Sequence, residues 1–364
     1  MNKTMEEIIK EQMDNVIDKQ ETTDLSQYAS NLTDGLSDYF TLENILDATL
    51  EGKSIFESPE LIDSFKQLFL YEVKSALVIG IEILTICIII GLLKNLSGSF
   101  GSKSISEIGN LTCMIVIVGL AMVNFQDVYT MTLDAVKTLV YTTEILLPVL
   151  MGILISMGQI TTGTIMSPLT LSAVAIFQHI IKNIILPAVF ISCILTILNC
   201  LTEKDYVNQL AKFIRKTSLY ITGILITLMS GIVSIQGLIT QTSDGLIMGT
   251  AKYSLDAFIP IVGGFTADTM ELFLKCMSSI KNIVGLFGIL LIVVIMLVPI
   301  LKTVAIALIY KVTAILIEPV ATKKIAEGIG EISSTLMTMA AILFFSSLLF
   351  ILFLTSIINL GGST

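Results

Sequence analysis

Residues 282–301, NIVGLFGILLIVVIMLVPIL, carry no charged side chain. A helix rising about 1.5 Å per residue covers about 30 Å of hydrocarbon in about 20 residues, the length of this run. Pro299 near its end would break a helix in water, but between packed membrane helices the carbonyl that a proline frees finds other partners. The run reads as a membrane-spanning helix. Working outward, residues 108–125, 183–201 and 332–360 are also free of charge, and 75–93 holds only Glu82. Residues 160–181 and 217–241 are uncharged but richer in Thr, Ser, Gly and Gln, while 138–158 contains Glu144 and Pro148. These runs predict an all-α, polytopic integral membrane helical bundle of about seven to eight transmembrane helices.

Composition agrees with that class and excludes an ordinary soluble domain. The chain of 364 residues is 54% apolar and 14% charged, with a mean hydropathy of +0.88. The net charge of -9 is concentrated: 15 of the 30 acidic residues but only 5 of the 21 basic ones fall within the first 66 positions. That segment has too few long apolar runs to enter a bilayer, yet Met5, Ile8, Ile9, Met13, Val16 and Ile17 share one helical face. Residues 1–70 therefore read as an acidic, helical region outside the membrane, and 71–364 as the polytopic membrane domain.

Lysine and arginine in short loops are retained in the cytoplasm. Lys94 and Lys103 follow the first run, Lys204, Lys212, Arg215 and Lys216 the fifth, and Lys302, Lys311, Lys323 and Lys324 the seventh. These alternate correctly if the acidic region lies outside the cytoplasm, an arrangement that calls for a cleaved leader ahead of the sequence as numbered.

The segment IPIVGGFTADTMELFLK at 259–275 breaks the apolar pattern. Pro260 and the Gly263-Gly264 pair interrupt a helix, and Asp268, Glu271, Lys275, Ser278 and Asn282 then recur at helical spacing. Irregular backbone at membrane depth survives only where protein buries it or water lines it, so 259–281 reads as a re-entrant or broken helix, or else as an amphipathic helix on the outer surface. Glu82, Pro260, Gly263, Gly264, Asp268, Glu271 and Lys275 are the candidates for lining or gating a passage, Glu82 because an intramembrane carboxylate needs a cavity or a partner.

Motifs for nucleotide hydrolysis and peptide cleavage are missing, so the chain reads as no enzyme, with no catalytic, cofactor-binding or metal-binding residues. The five cysteines show no C-x-x-C spacing and read as packing residues; His179 is the single histidine. Nothing points to a nucleic-acid partner; lipid is the expected surroundings.

The strings LFLYEVKSALVIG and GLLKNLSGSF within 68–100, residues 259–294, and PILKTVAIALIYKVTAILIEPVATKKIAEGIGEISSTL at 299–336 resemble the stage III sporulation protein AE family of endospore-forming bacteria. The resemblance implies a permease-like subunit in the mother-cell membrane around the forespore. It also implies a channel or feeding-tube complex with an ATPase, small membrane proteins and ring-forming proteins, supporting late forespore gene expression and development. A homo-oligomer is a further expectation. The alternative is a stand-alone secondary transporter in which Glu82, Asp268 and Glu271 bind a coupling cation; no convincing two-half repeat accompanies it.

Overall fold

The structure is a computed structural model that describes residues 59–99, 103–159, 167–201, 207–258, 263–319 and 323–359. Those residues are helical almost throughout, with no strand among them. In chain order the helices are α1 (Pro59–Ser99), α2 (Lys103–Ser156), α3 (Ser167–Ile180), α4 (Leu186–Leu201), α5 (Asn208–Phe258), α6 (Gly263–Ile317) and α7 (Lys323–Asn359). A π-helical turn, Ile181–Ile185, joins α3 to α4.

Five stretches among the described residues are long and apolar enough to cross a membrane: Ile115–Ser156, Leu171–Cys200, Asn208–Ile235, Leu272–Ile317 and Lys323–Asn359. Two fusions turn the eight apolar runs of the sequence into six, and the sixth, 75–93, lies in α1, whose later side chains fall outside the described set. The runs at 108–125 and 138–158 belong to the single helix α2, because the connecting residues 126–137 contain neither Gly nor Pro. Residues 183–201 continue from α3 through the π turn. Its wide backbone, with the Leu186 N–H donating to the Ile181 carbonyl, absorbs one extra residue just before Pro187, whose ring would otherwise press on the carbonyl four residues back. His179 lies at the end of α3 and pairs with Asn183 across this turn at 2.9 Å.

The break read at 259–281 is narrower than the sequence implies. α5 reaches Phe258 and α6 starts at Gly263, so only 259–262 separate them, and these lie outside the described residues. From Gly263 onward the segment is one unbroken helix through Pro299 to Ile317.

α6 is the axis of the bundle. Two-thirds (67%) of its most apolar window is buried, against 22% for that of α5 at the periphery. Lipid tails are as apolar as Leu, so helices associate here through close packing and polar contacts rather than by escaping water. Gly288 allows the first: a Cβ built there would lie 2.7 Å from Leu146 Cδ1 of α2 and 3.1 Å from Leu354 Cδ1 of α7. Gly328 likewise lets α7 close on Cys200 of α4. Polar contacts supply the rest. Asn124 Nδ2 donates to the Tyr310 hydroxyl at 3.3 Å, Ser192 Oγ to the Ala211 carbonyl at 2.7 Å, and Ser333 Oγ to the Ala307 carbonyl at 2.6 Å.

One ionic clamp holds α5 to α7. Arg215 donates to Glu331 Oε2 at 2.7 Å, to the Glu331 carbonyl at 3.2 Å and to Thr335 Oγ1 at 3.2 Å, while Lys212 lies 2.9 Å from Glu331 Oε1. The clamp brings the basic first turns of α5 and α7 to the same end of the bundle.

Gly288→Val should lower the thermal midpoint of the detergent-solubilised protein, with a loss of about 1–3 kcal/mol from overpacking. Gly119→Val, where an added Cβ meets nothing within 4 Å, should leave it unchanged. Equal midpoints for the two variants would contradict the three-helix contact.

Candidate functional site: an outward polar stripe on α2

The continuity of α2 places side chains that a loop would scatter. Its inward positions, among them Ile117, Ala121, Phe125, Val128, Thr132, Val136, Leu139 and Thr143, are buried against the bundle. Phe190 of α4 stacks on Phe125 and Tyr129, with centroids 5.9 and 4.7 Å apart, and fixes the rotation of the helix. The opposite face carries Asp127, Thr130, Asp134, Lys137, Tyr141, Glu144 and Pro148, all exposed. Their spacing alternates four and three residues, the 3.5-residue repeat of a helix seam that faces another helix. From Asp127 to Glu144 the stripe runs about 26 Å, close to the hydrocarbon thickness.

Lys137 Nζ lies 2.7 Å from Asp134 Oδ1, with the two side chains 54% and 61% exposed. The Thr130 and Thr138 hydroxyls donate to the carbonyls of Gln126 and Asp134, each at 2.9 Å. Asp127 and Glu144 form no ion pair with another described residue.

This arrangement conflicts with bare lipid. Residues 108–126 of α2 carry no charge, whereas the following stretch holds Asp127, Asp134, Lys137 and Glu144, so a span that uses the second half of the helix puts exposed charge in hydrocarbon. Each charged side chain at the bilayer centre costs about 2.5–3.5 kcal/mol even on insertion scales. A surface of this kind is covered by protein or wetted.

The residues singled out from the sequence lie elsewhere. Glu82 is on the exposed side of α1, beside Ile81 at 62% exposure. Pro260 lies outside the described residues. Gly263 and Gly264 open α6, and Asp268 and Glu271 fall in its first turns, where the side chains lie outside the described set. Lys275 and Asn282 are exposed, whereas Cys276, Met277, Ile280 and Lys281 turn inward, so the described part of that stripe also faces out of the bundle. Glu82 and Lys275 do not share a site. A Cβ on Gly80, two residues before Glu82, would meet Ile309, which is 34 positions, or about 50 Å, along α6 from Lys275.

Two features escaped the sequence reading. Lys281 is fully buried in α6. The α2 stripe was divided between a run and a loop, although its three-and-four spacing was a usable signal. Among the described residues no three His, Cys, Asp or Glu side chains gather as a metal group.

Comparison with known proteins agrees with the strings at 68–100, 259–294 and 299–336: the family described as Stage III sporulation protein AE matches residues 40–361. The chain belongs to the stage III sporulation protein AE family. It is 28% identical over 318 residues to the Stage III sporulation protein AE of Bacillus subtilis (strain 168), covering 86% of this chain and 79% of that protein. No solved structure matches. Family membership implies a role in sporulation, and the matched region contains all of α2.

Single cysteines at Thr130 and Tyr141, in a background without the five native cysteines, should react with a maleimide in protein dispersed to monomers by detergent. Cysteines at Val128 and Leu139, which are 1% and 0% exposed, should not. Uniform labelling would mean that 126–141 is a loop and that the stripe does not exist.

Proposed function

We propose that this protein is a non-enzymatic, permease-like membrane subunit of the sporulation channel complex linking mother cell and forespore, needed for late forespore gene expression and development. It resides as a multi-pass protein in the mother-cell membrane around the forespore, with its acidic N-terminal region outside the cytoplasm. An ATPase, small membrane subunits and ring-forming proteins complete the assembly. Family membership supports the sporulation role. The observation that carries the subunit reading is the outward stripe of α2: a self-sufficient carrier keeps its charged groups turned toward its own core, whereas Asp127, Asp134, Lys137 and Glu144 face away from it.

Six of the buried hydroxyls support the same reading. The hydroxyls of Thr142, Thr143, Thr196, Ser218, Thr222 and Thr303 donate to carbonyls four residues earlier in their own helices. Hydroxyls engaged in this way are part of the helix surface and offer little to a hydrated path through the bundle. The polar surface available to a passage lies outside the subunit, at its contacts with others.

The combined substitution Asp127→Asn and Glu144→Gln should reduce heat-resistant spore yield and a late forespore reporter about tenfold or more, the scale of removing interactions that total 1–2 kcal/mol. Membrane abundance of the variant should equal that of the parent chain. Parental spore yield from this variant would remove the stripe from the mechanism.

A further inference from the structure

We propose that the centre of the α2 stripe is a self-association surface at which a second copy of this chain packs in parallel, with Asp134 of each copy meeting Lys137 of the other. The inference concerns what covers the stripe and does not depend on what passes through the assembly.

Three observations select a second copy. The first is repeat: exposed positions 127, 134, 141 and 148 interleave with 130, 137 and 144, the pattern of an a/d seam whose natural partner is another helix of the same repeat. The second is charge order. Asp134 and Lys137 stand side by side on the exposed face with their oppositely charged atoms 2.7 Å apart. Copies of a membrane protein share one orientation, so two α2 helices related by a two-fold axis along the membrane normal run parallel. The axis sets Asp134 beside Asp134 and Lys137 beside Lys137 of the second copy, about one helical turn apart, so each acid also lies within reach of the other copy's base and the four charges together are self-complementary. The third is burial of charge. Where this part of α2 lies in hydrocarbon, these groups of a lone subunit face lipid, and a second copy takes them out of it. α2 is also free to make this contact, since the stripe lies opposite the face packed on α4 and α6.

The outer acids shape the contact. Asp127 and Glu144 each stand seven positions, about 10 Å, from the central pair, and in a parallel dimer each meets its own counterpart. Like charges side by side repel, so the two helices cross at Asp134–Lys137 and diverge toward Asp127 and Glu144, leaving these carboxylates in wet clefts above and below the crossing.

The test uses the full-length chain carrying two different tags, co-expressed and purified from membranes in mild detergent. Lys137→Asp makes the centre wholly acidic and Asp134→Lys makes it wholly basic. Each variant should co-purify with itself about tenfold less than the parent chain does. When one tagged chain carries Asp134→Lys and the other Lys137→Asp, association should return, because each acid again faces a base across the contact. Parental self-association by either variant, or failure of the mixed pair to recover while both chains elute as folded protein, would overturn the proposal. A second measurement covers variants that do not fold: in an otherwise unchanged cysteine-free chain, Thr130→Cys should form a disulfide with its own counterpart under mild oxidation, and Ile224→Cys on the exposed face of α5 should not. Equal cross-linking at both positions, or none at Thr130, would also overturn it.

Discussion

A backbone amide in hydrocarbon has no water to bond to, and this constraint organises the whole molecule. Each N–H and C=O must find a partner within the chain, so the membrane domain has long helices. Pro299 is carried inside α6 rather than ending it. Pro187 is preceded by a π turn rather than by a break. At the exposed end of α2, the turn beyond Ser156 is closed by the Gly158 N–H bonding the Ile155 carbonyl at 2.9 Å, with Gly158 at a φ of 81°, a conformation that favours glycine.

The same constraint sorts the charges into two groups. Arg215, Lys212 and Glu331 satisfy one another between α5 and α7. Arg215 is only 11% exposed, so the clamp is largely withdrawn from solvent, and removing either side would leave a desolvated charge with too few partners. The groups on α2 are instead half or more exposed at Asp134 and Lys137, which among the described residues pair with each other along their own helix. A pair three residues apart on one helix contributes a few tenths of a kcal/mol, far less than the cost of holding both charges in lipid. Clamp and stripe thus differ in kind: the first completes a contact between two helices of the subunit, and the second lies on its exposed face.

This difference explains how much of the molecule was legible in the sequence. Membrane class, all-α content and family were readable, because uncharged runs such as 282–301 and long strings such as 299–336 carry them directly. The joining of runs was not, because Asp127, Asp134 and Lys137 lower the local hydropathy of 126–137 and imitate a loop, although no residue there stops a helix. The candidate passage residues were chosen by their charge in an apolar setting, which is a one-dimensional criterion. Whether Glu82 and Lys275 lie near each other depends on how far α1 slides along α6, and the packing of Gly80 against Ile309 sets that offset.

The offset has a consequence for how a conduit can be built. α6 fills the centre with Phe287, Leu290, Leu291, Val294 and Ile295, all at most 2% exposed, and interiors packed with such side chains lack room for solvent. The unpartnered buried polar atoms among the described residues, Thr132 Oγ1, Gln159 Oε1 and Ser346 Oγ, are single atoms on three separate stretches of the chain. A water needs two to four polar partners, and a file of waters needs a continuous series of them. The polar series of α2, which reaches across most of a hydrocarbon thickness, is on the outside of the bundle. A passage that uses it must be bounded by α2 on one side and by another chain on the other, so conduction and assembly would be properties of the same surface.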